Sequence, residues 1–385
     1  MVINTFKTED DIYKVYPKNN RFEIKDIFKE FWDDFLVYAK DLNIRDVVHS
    51  NVNKMLVCKT SSLGYNLWHC SNCNHEHAQY NTCKSRFCNS CGVKYSKQRT
   101  LHIMTKLINV KHRHLVFTIP DFLWDFFRED RNRLNLMFHA VNTTLSSWFK
   151  EQKKGEDFKP GFISVIHTYG RDNKWNVHLH CLLAEASADN NTIKKIDFFP
   201  YKMLRKRFQK IILYLLEKDI GKDTFRKIKN LAFTKYNEGF YIRAKKNEFK
   251  NSKKALEYVL RYCGRPCFAS YRILNIDYDN NTITFWYQRS EDKLFVVVNI
   301  PIFKFIERLI IHISDYQFKT IRYYGFYASR SHKRINEFKL LIDKLKIPFY
   351  KSMLKWQMLL LSSFKKDPLK CPKCDNIMLF QQLIL

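Results

Sequence analysis

The chain has 385 residues, with 67 Lys and Arg against 38 Asp and Glu, which gives a formal net charge of +29. Such a surplus favours a polyanionic partner such as nucleic acid, because like charges on one fold otherwise repel each other. The 9 glycines include no pair two or five residues apart, which excludes the glycine turn of dinucleotide-binding enzymes and the phosphate loop of NTPases.

The first residues carry charges before any apolar run long enough for a secretion signal, and no apolar stretch reaches the ~20 residues of a membrane span. We therefore expect a cytoplasmic protein with no membrane partner. In that compartment the 11 cysteines are expected to be thiols or metal ligands rather than disulfides.

Apolar spacing predicts an α+β fold with an antiparallel sheet, because strands and helices alternate irregularly and hairpins join the strands. The predicted elements are, in chain order, an amphipathic leader helix within 22–53, a strand from His114, helical spacing over 122–149, strands at 161–169 and 175–183, helical spacing at 201–216 and 252–263, and a hairpin of 270–277 with 282–288. The chain divides into a helical leader (1–55), a zinc-binding DNA-contact module (56–105), a sheet domain (106–300) and a C-terminal helical region (301–385), with a hinge at 245–254.

Two Cys-x-x-Cys knuckles, Cys70 with Cys73 and Cys88 with Cys91, have nearly the spacing of a four-thiolate zinc ribbon. Four thiolates can close a tetrahedral shell, so we expect structural Zn²⁺ here, with unmetallated thiols as the alternative. No ligand position is left open for catalysis. A third knuckle, Cys371 with Cys374 near the C-terminus, has no evident partner.

A second zinc site could use the remaining cysteines and histidines of this module, Cys58, Cys83, His75 and His77. Surface histidines and core thiols are the alternative interpretation. Basic residues around the knuckles, among them Arg86 and Lys94, indicate that the module contacts nucleic acid.

Of three His-x-His triplets, only His178-Leu-His180 lies in a strand-like run with an apolar centre. Strand alternation places both imidazoles on one face and the apolar side chains of the run on the other. Two imidazoles can then bind one cation. They favour Mn²⁺ or another first-row ion, although Mg²⁺ can serve when a substrate phosphate supplies oxygens.

The third ligand depends on how the two strands pair. If Asp172 and Asn173 form the turn, His167 lies opposite His178 and completes the set. Asp172 itself, Glu185 or a group on a later helix are the alternatives.

Tyr258 and Tyr262 are four residues apart in a predicted helix, so both phenols lie on one face. Chance produces such pairs, and Tyr323 with Tyr327 is another, so packing is the default role for both. A metal-bound phosphate beside a phenol would allow it to act as a nucleophile. Arg261, Arg265 and Arg272 flank this helix and are candidates for binding the DNA backbone.

Taken together and in this order, the motifs resemble those of rolling-circle insertion-sequence transposases with an N-terminal zinc-binding domain, in the two-tyrosine class of the HUH endonuclease superfamily. The resemblance covers roughly residues 26–374. The motifs that carry it are the two N-terminal knuckles, His114-Leu-Val-Phe-Thr-Ile-Pro120, His167-Thr-Tyr-Gly, Val177-His-Leu-His-Cys-Leu-Leu183, Tyr258-x-x-x-Tyr262 and Arg322-Tyr-Tyr-Gly-Phe-Tyr327.

This resemblance implies an HUH-type central sheet and a nuclease and strand-transferase activity in residues 106–300. It implies that His178 and His180 hold Mg²⁺ or Mn²⁺ on the scissile phosphate, and that Tyr258 or Tyr262 attacks to leave a 5′-phosphotyrosine. The implied partner is single-stranded DNA of transposon ends and target, and the chain could act as a homodimer. The family's glycine-rich turn after Leu183 is missing here.

Three other interpretations fit parts of the sequence: a rolling-circle replication initiator, a non-catalytic zinc-dependent DNA-binding regulator, and a transposase that uses clustered carboxylates. The C-terminal Cys371-Pro-Lys-Cys374 knuckle could borrow ligands elsewhere, dimerise the chain through a metal, or have no role.

Overall fold

The computed structural model describes residues 2–17, 22–108, 110–152, 159–188, 193–196, 198–243, 266–328 and 346–385. Tyr258, Tyr262, Arg261 and Arg265 lie outside these ranges, as do the predicted helix at 252–263 and the whole of the predicted hinge at 245–254.

The described strands are β1 Val2–Phe6, β2 Tyr65–His69, β3 Glu76–Tyr80, β4 His112–Thr118, β5 Lys159–Tyr169, β6 Trp175–Ala188, β7 Ile193–Lys195, β8 Ile242–Arg243, β9 Ile273–Asp277, β10 Thr282–Gln288, β11 Phe295–Pro301, β12 Ile321–Gly325 and β13 Leu379–Ile384. The described α-helices are α1 Glu9–Val15, α2 Ile24–Tyr38, α3 Asp46–Leu56, α4 Asn89–Met104, α5 Trp124–Glu129, α6 Leu134–Gln152, α7 Tyr201–Ile220, α8 Lys222–Lys235, α9 Ile302–Ile310, α10 Lys346–Met353 and α11 Trp356–Phe364. The α+β prediction is confirmed.

A six-stranded antiparallel sheet forms the centre, in the order β12-β5-β6-β4-β8, with β7 paired to β6. Alternation along β6 gives each face a different role. Val177, Leu179, Cys181 and Leu183 are fully buried in the core that the sheet shares with α6 and α7, as predicted. The opposite face carries His178 and His180.

The turn between β5 and β6 is longer than the two residues predicted. Residues 170–174 form it, and Gly170 N donates to Lys174 O at 3.0 Å. A β-bulge between His167 and Tyr169 compensates for the longer loop, so His167 still pairs with His178, as predicted.

The leader forms two helices, α2 and α3, rather than the single helix predicted, and both pack on a second sheet. This sheet has the order β1-β11-β10-β9, and its apolar face, α2, α3 and α9 share one core. The predicted hairpin is confirmed by the antiparallel pairing of β9 with β10. Residues near the N-terminus and residues 268–313 are therefore held together by shared burial.

A third, smaller sheet joins distant parts of the sequence. Its order is β13-β2-β3, so the C-terminal strand pairs with the first strand of the cysteine-rich module. The C-terminal helices α10 and α11 also pack on α4, where Leu101, Tyr350 and Leu359 are buried together. No helix in the described part of the chain combines the length and apolarity needed to cross a membrane.

Candidate active site

Three imidazoles meet on one face of the central sheet, from His167 on β5 and from His178 and His180 on β6. Their ligand atoms lie within 4.8 Å of one another. The ring centroid of His167 is 4.6 Å from that of His180 and 5.5 Å from that of His178. The pleat of β6 and the pairing of His167 with His178 are sufficient to produce this set. A shell of three imidazoles suits a first-row divalent cation.

Hydrogen bonding and burial prepare these rings to bind a cation. His178 Nδ1 lies 3.0 Å from the Asn176 carbonyl, and because a carbonyl only accepts, Nδ1 carries the proton and Nε2 is the ligand atom. Burial lowers the pKa of His178. Burial, followed by the charges of His167 and His178, lowers the pKa of His180 well below its ordinary value. Neutral imidazole is the form that coordinates metals.

A fourth histidine, His114 on β4, lies behind this set. Its Nε2 is 2.9 Å from His180 Nδ1, and the two rings stack with centroids 5.1 Å apart and planes 6° from parallel. This contact orients His180 so that Nε2 is its ligand atom. The sequence marked His114 as the start of a strand, but the contact depends on the pairing of β4 with β6, which no local pattern indicates.

The carboxylates considered as alternative ligands are engaged elsewhere. Glu185 accepts a hydrogen bond from Arg113 Nε at 2.6 Å. Asp172 accepts from the Lys174 amide at 3.2 Å, within the turn. Across the described ranges, the group that could hold a cation here consists of the three histidines alone.

The residues on either side of the segment that contains Tyr258 and Tyr262 lie in the same region of the fold as the histidines. Before it, Arg243 pairs with Val116 on β4, and its charge contributes to the lowered pKa of both His114 and His180. After it, Pro266 and Cys267 line a cleft of about 460 Å³ that His167 also lines.

The other tyrosine pair has a packing role. Tyr327 is 2% exposed, and its hydroxyl lies 2.7 Å from His112 Nε2. Burial raises the pKa of Tyr327, which makes its phenolate harder to form. The ring of Tyr323 is covered by Lys106, whose Nζ lies 4.9 Å from the ring centroid.

The basic residues selected from the sequence occupy different environments. Arg86 lines the same cleft as His167, where it donates to Thr320 Oγ1 at 2.7 Å. Lys94 lines a separate groove beside the cysteine-rich module. Arg272 donates to the Arg171 carbonyl at 2.9 Å and its guanidinium lies 4.0 Å from the centroid of Phe268. Burial lowers the pKa of Arg272 to about 10, which leaves it charged near neutral pH, but its contacts with the Arg171 carbonyl and the Phe268 ring fit a structural role.

The structure does not join the two N-terminal knuckles into one site. Cys88 and Cys91, at the start of α4, instead meet Cys58 and Cys83. The Sγ atoms of Cys58, Cys83 and Cys88 lie 3.6–3.8 Å from a neighbouring Sγ in this cluster. Tetrahedral zinc with bonds of about 2.3 Å separates its sulfur ligands by about 3.8 Å, whereas a disulfide is about 2.05 Å long.

The other knuckle, Cys70 with Cys73, meets Cys371 and Cys374 from the C-terminus. The expected set of Cys70, Cys73, Cys88 and Cys91 is therefore wrong, because each knuckle has a different partner. His75 and His77 belong to neither cluster. The sequence could not show this, since β13 brings Cys371 and Cys374 to β2 from 298 or more residues away.

Matches to two known families identify the chain as a transposase that combines a zinc-binding module with a sheet domain. Residues 27–119 match the family described as "Transposase zinc-binding domain", and residues 161–334 match the family described as "Putative transposase". The first match includes the whole cluster of Cys58, Cys83, Cys88 and Cys91, and supports structural zinc. The second includes all three histidines and the segment with Tyr258 and Tyr262.

Two curated relatives are also named as transposases. The chain is 29% identical over 301 residues to the transposase for insertion sequence element IS801 of Pseudomonas savastanoi pv. phaseolicola, covering 74% of this chain and 72% of the relative. It is 25% identical over 327 residues to "Putative transposase y4qJ" of Sinorhizobium fredii (strain NBRC 101917 / NGR234), covering 80% and 81%. No solved structure matches it significantly. The chain belongs to the rolling-circle insertion-sequence transposases with an N-terminal zinc-binding domain.

Proposed function

We propose that this transposase nicks and rejoins single-stranded DNA at transposon ends and targets, through a 5′-phosphotyrosine intermediate, during rolling-circle transposition. The observation that carries the proposal is the set of three imidazoles, from the buried His167 and His180 and the half-buried His178, with ligand atoms within 4.8 Å of one another. The set lies inside the matched transposase region. A Mg²⁺ or Mn²⁺ ion held there would polarise the scissile phosphate and stabilise the charge that develops on it.

In this reaction the chain itself supplies the nucleophile, a tyrosine hydroxyl. The hydroxyl oxygen of Tyr258 or Tyr262 attacks phosphorus and loses its proton, while the bond from phosphorus to the 3′ oxygen breaks and that oxygen is protonated to a 3′-hydroxyl. The phosphodiester is exchanged for a phosphotyrosine ester, so the reverse attack by a 3′-hydroxyl rejoins DNA without ATP. A second tyrosine allows one DNA end to stay attached while the other is cut.

The neighbouring contacts have definite roles in this proposal. The Asn176 carbonyl and His114 fix the orientation of His178 and His180. On either side of the tyrosine segment, Arg243 pairs with Val116, the strand partner of His180, and Cys267 lines the same cleft as His167, which supports placing a tyrosine near the histidines. Arg86 lines the cleft next to His167 and can contact DNA phosphate there.

The test is incubation of the purified protein with end-labelled single-stranded DNA from the element's own ends and Mn²⁺. We expect a protein–DNA band that resists denaturation and disappears in a Tyr258→Phe, Tyr262→Phe double variant. A Tyr323→Phe variant, which alters the packing pair, is the control and should retain the band.

Persistence of cleavage in the double variant would refute the tyrosine mechanism and favour carboxylate chemistry. Binding without cleavage by the wild-type protein would favour the non-catalytic regulator. A replication initiator performs the same nick, but both relatives are named as transposases, which favours transposition.

A further inference from the structure

We propose that Cys70, Cys73, Cys371 and Cys374 hold a second structural zinc ion, and that this ion fastens the C-terminal segment to the N-terminal module to complete a groove for single-stranded DNA. The zinc site is inferred from the positions of the four cysteines and does not depend on the proposed function. The role of the groove rests on the proposed function. Cys371 and Cys374 lie beyond both matched family regions, which end at residues 119 and 334.

The sulfur geometry fits zinc. Cys70 Sγ lies 3.4 Å from Cys374 Sγ, and Cys73 Sγ lies 3.6 Å from Cys371 Sγ. These separations are close to the edge of a tetrahedral thiolate shell and far longer than a disulfide bond. Cys70 and Cys371 are 0% and 2% exposed, so the shell is buried on one side and closed to substrate.

The two knuckles have the same backbone structure. Cys70 N donates to His75 O at 2.9 Å and Asn74 N donates to Cys70 O at 2.8 Å. Around the other knuckle, Cys371 N donates to Asn376 O at 2.8 Å and Asp375 N donates to Cys371 O at 2.9 Å.

In each knuckle, the residue after the second cysteine adopts a left-handed conformation, with φ of 54° at Asn74 and 62° at Asp375. The Lys373 amide also donates to Cys371 Sγ at 3.4 Å, which stabilises a thiolate. The two knuckles therefore have matching turns, and together they form a complete four-thiolate site although they are far apart in the sequence.

An ion at this position would hold the C-terminal segment in place. Other contacts beside the site are the pairing of β13 with β2, the packing of Trp356 and Phe380 on Trp68, with ring centroids 6.2 and 5.6 Å apart, and the burial of Met378. Much of β13 is exposed, including Leu379, Phe380 and Leu383, so burial alone gives this strand little stability. Since α10 and α11 pack on α4 independently of the ion, the zinc–thiolate bonds act mainly on the knuckle and β13, where they supply a large share of the docking free energy.

The docked segment forms one wall of a groove of about 1360 Å³. Six lysines line it, three from each side: Lys59, Lys84, Lys94, Lys365, Lys366 and Lys370. The groove also contains two carboxylates. Asp375 pairs with Lys370 at 2.9 Å, and Asp367 accepts from Gln357 at 3.0 Å. The lysine excess and the aromatic rings of Tyr80, Trp356 and Phe364 match the phosphates and bases of an unpaired strand.

Zinc content measured by mass spectrometry tests the site itself. We expect two zinc ions per wild-type chain and one in a Cys371→Ser, Cys374→Ser variant. A Cys267→Ser control, outside both clusters, should keep two. A Cys371→His, Cys374→His variant should restore the second ion, because imidazole also binds zinc. Equal zinc content in the wild-type and double-serine proteins would overturn the proposal.

Limited proteolysis of the same proteins tests the docking. Loss of the ion should expose residues 365–385 to cleavage while the rest of the chain, including α10 and α11 on α4, stays resistant. A C-terminal segment that remains protected in the double-serine variant, after its zinc is lost, would overturn the docking role.

Binding of an oligothymidylate at several salt concentrations tests the groove. A Lys365→Gln, Lys366→Gln, Lys370→Gln variant should keep both zinc ions. Its slope of log affinity against log salt should be smaller by about 2, since each lost phosphate contact with a single strand removes about 0.7. An unchanged slope would overturn the groove's role. Neither zinc content nor this binding requires DNA cleavage. Failure of the nicking mechanism can therefore be distinguished from failure of the zinc site or of the groove.

Discussion

Replacement of His114 by phenylalanine tests how the metal site is oriented. The change keeps an aromatic ring against His180 but removes the nitrogen that lies 2.9 Å from His180 Nδ1. Both side chains are buried, at 8% and 7% exposure, so water cannot readily replace the lost partner. Loss of such an outer contact reduces metal affinity by about 10–100-fold, which is about 1.4–2.7 kcal/mol.

Calorimetric titration with Mn²⁺ measures this effect, and the Mn²⁺ dependence of DNA cleavage gives a second reading. The matched control is His112→Phe, on the same face of β4, whose ring contacts Tyr327 and the Val110 carbonyl. Both variants lose a buried hydrogen bond, so both should be less stable. Only His114→Phe should bind Mn²⁺ more weakly. Equal Mn²⁺ affinity in the two variants would refute the orienting role of His114.

Three further predictions concern stability. Leu179→Ala, at a fully buried position behind the histidines, should lower the free energy of unfolding by about 2–5 kcal/mol in denaturant titrations, and a change below 1 kcal/mol would contradict the packing described. Burial lowers the pKa of His112 to about 4. The unfolded chain therefore binds the extra proton first, and stability should fall as pH drops from about 6.5 to 4, by up to about 3 kcal/mol from this residue. His112→Phe should flatten that dependence, and an unchanged pH profile would contradict the assignment. Chelation of zinc should lower the melting temperature of the wild-type protein, and the loss should be smaller in the Cys371→Ser, Cys374→Ser variant; equal losses would argue that the second cluster holds no ion.

Local patterns in the sequence were sufficient where neighbouring residues decide the structure. Strict alternation in β6 predicted both its buried face and its histidine face. The pairing of His167 with His178 was predicted correctly although the assumed turn was wrong, because a bulge offsets the longer loop.

Long-range contacts account for what local patterns missed. Two knuckles close in sequence suggested one zinc site, but a knuckle specifies only two ligands and not their partners. The sheet that pairs β13 with β2 decides that Cys70 meets Cys374. In the same way, His114 joins the site through the pairing of β4 with β6, and the leader shares its core with residues 268–313.

The cation site can be tested directly with crystals of the protein soaked in Mn²⁺ and examined by anomalous X-ray scattering. Our account predicts one manganese peak bonded to imidazole nitrogens of His167, His178 and His180, with a phenolic oxygen of Tyr258 or Tyr262 near enough to reach a phosphate on that ion. A site without manganese, or an ion held elsewhere with both tyrosines remote from the three histidines, would contradict it.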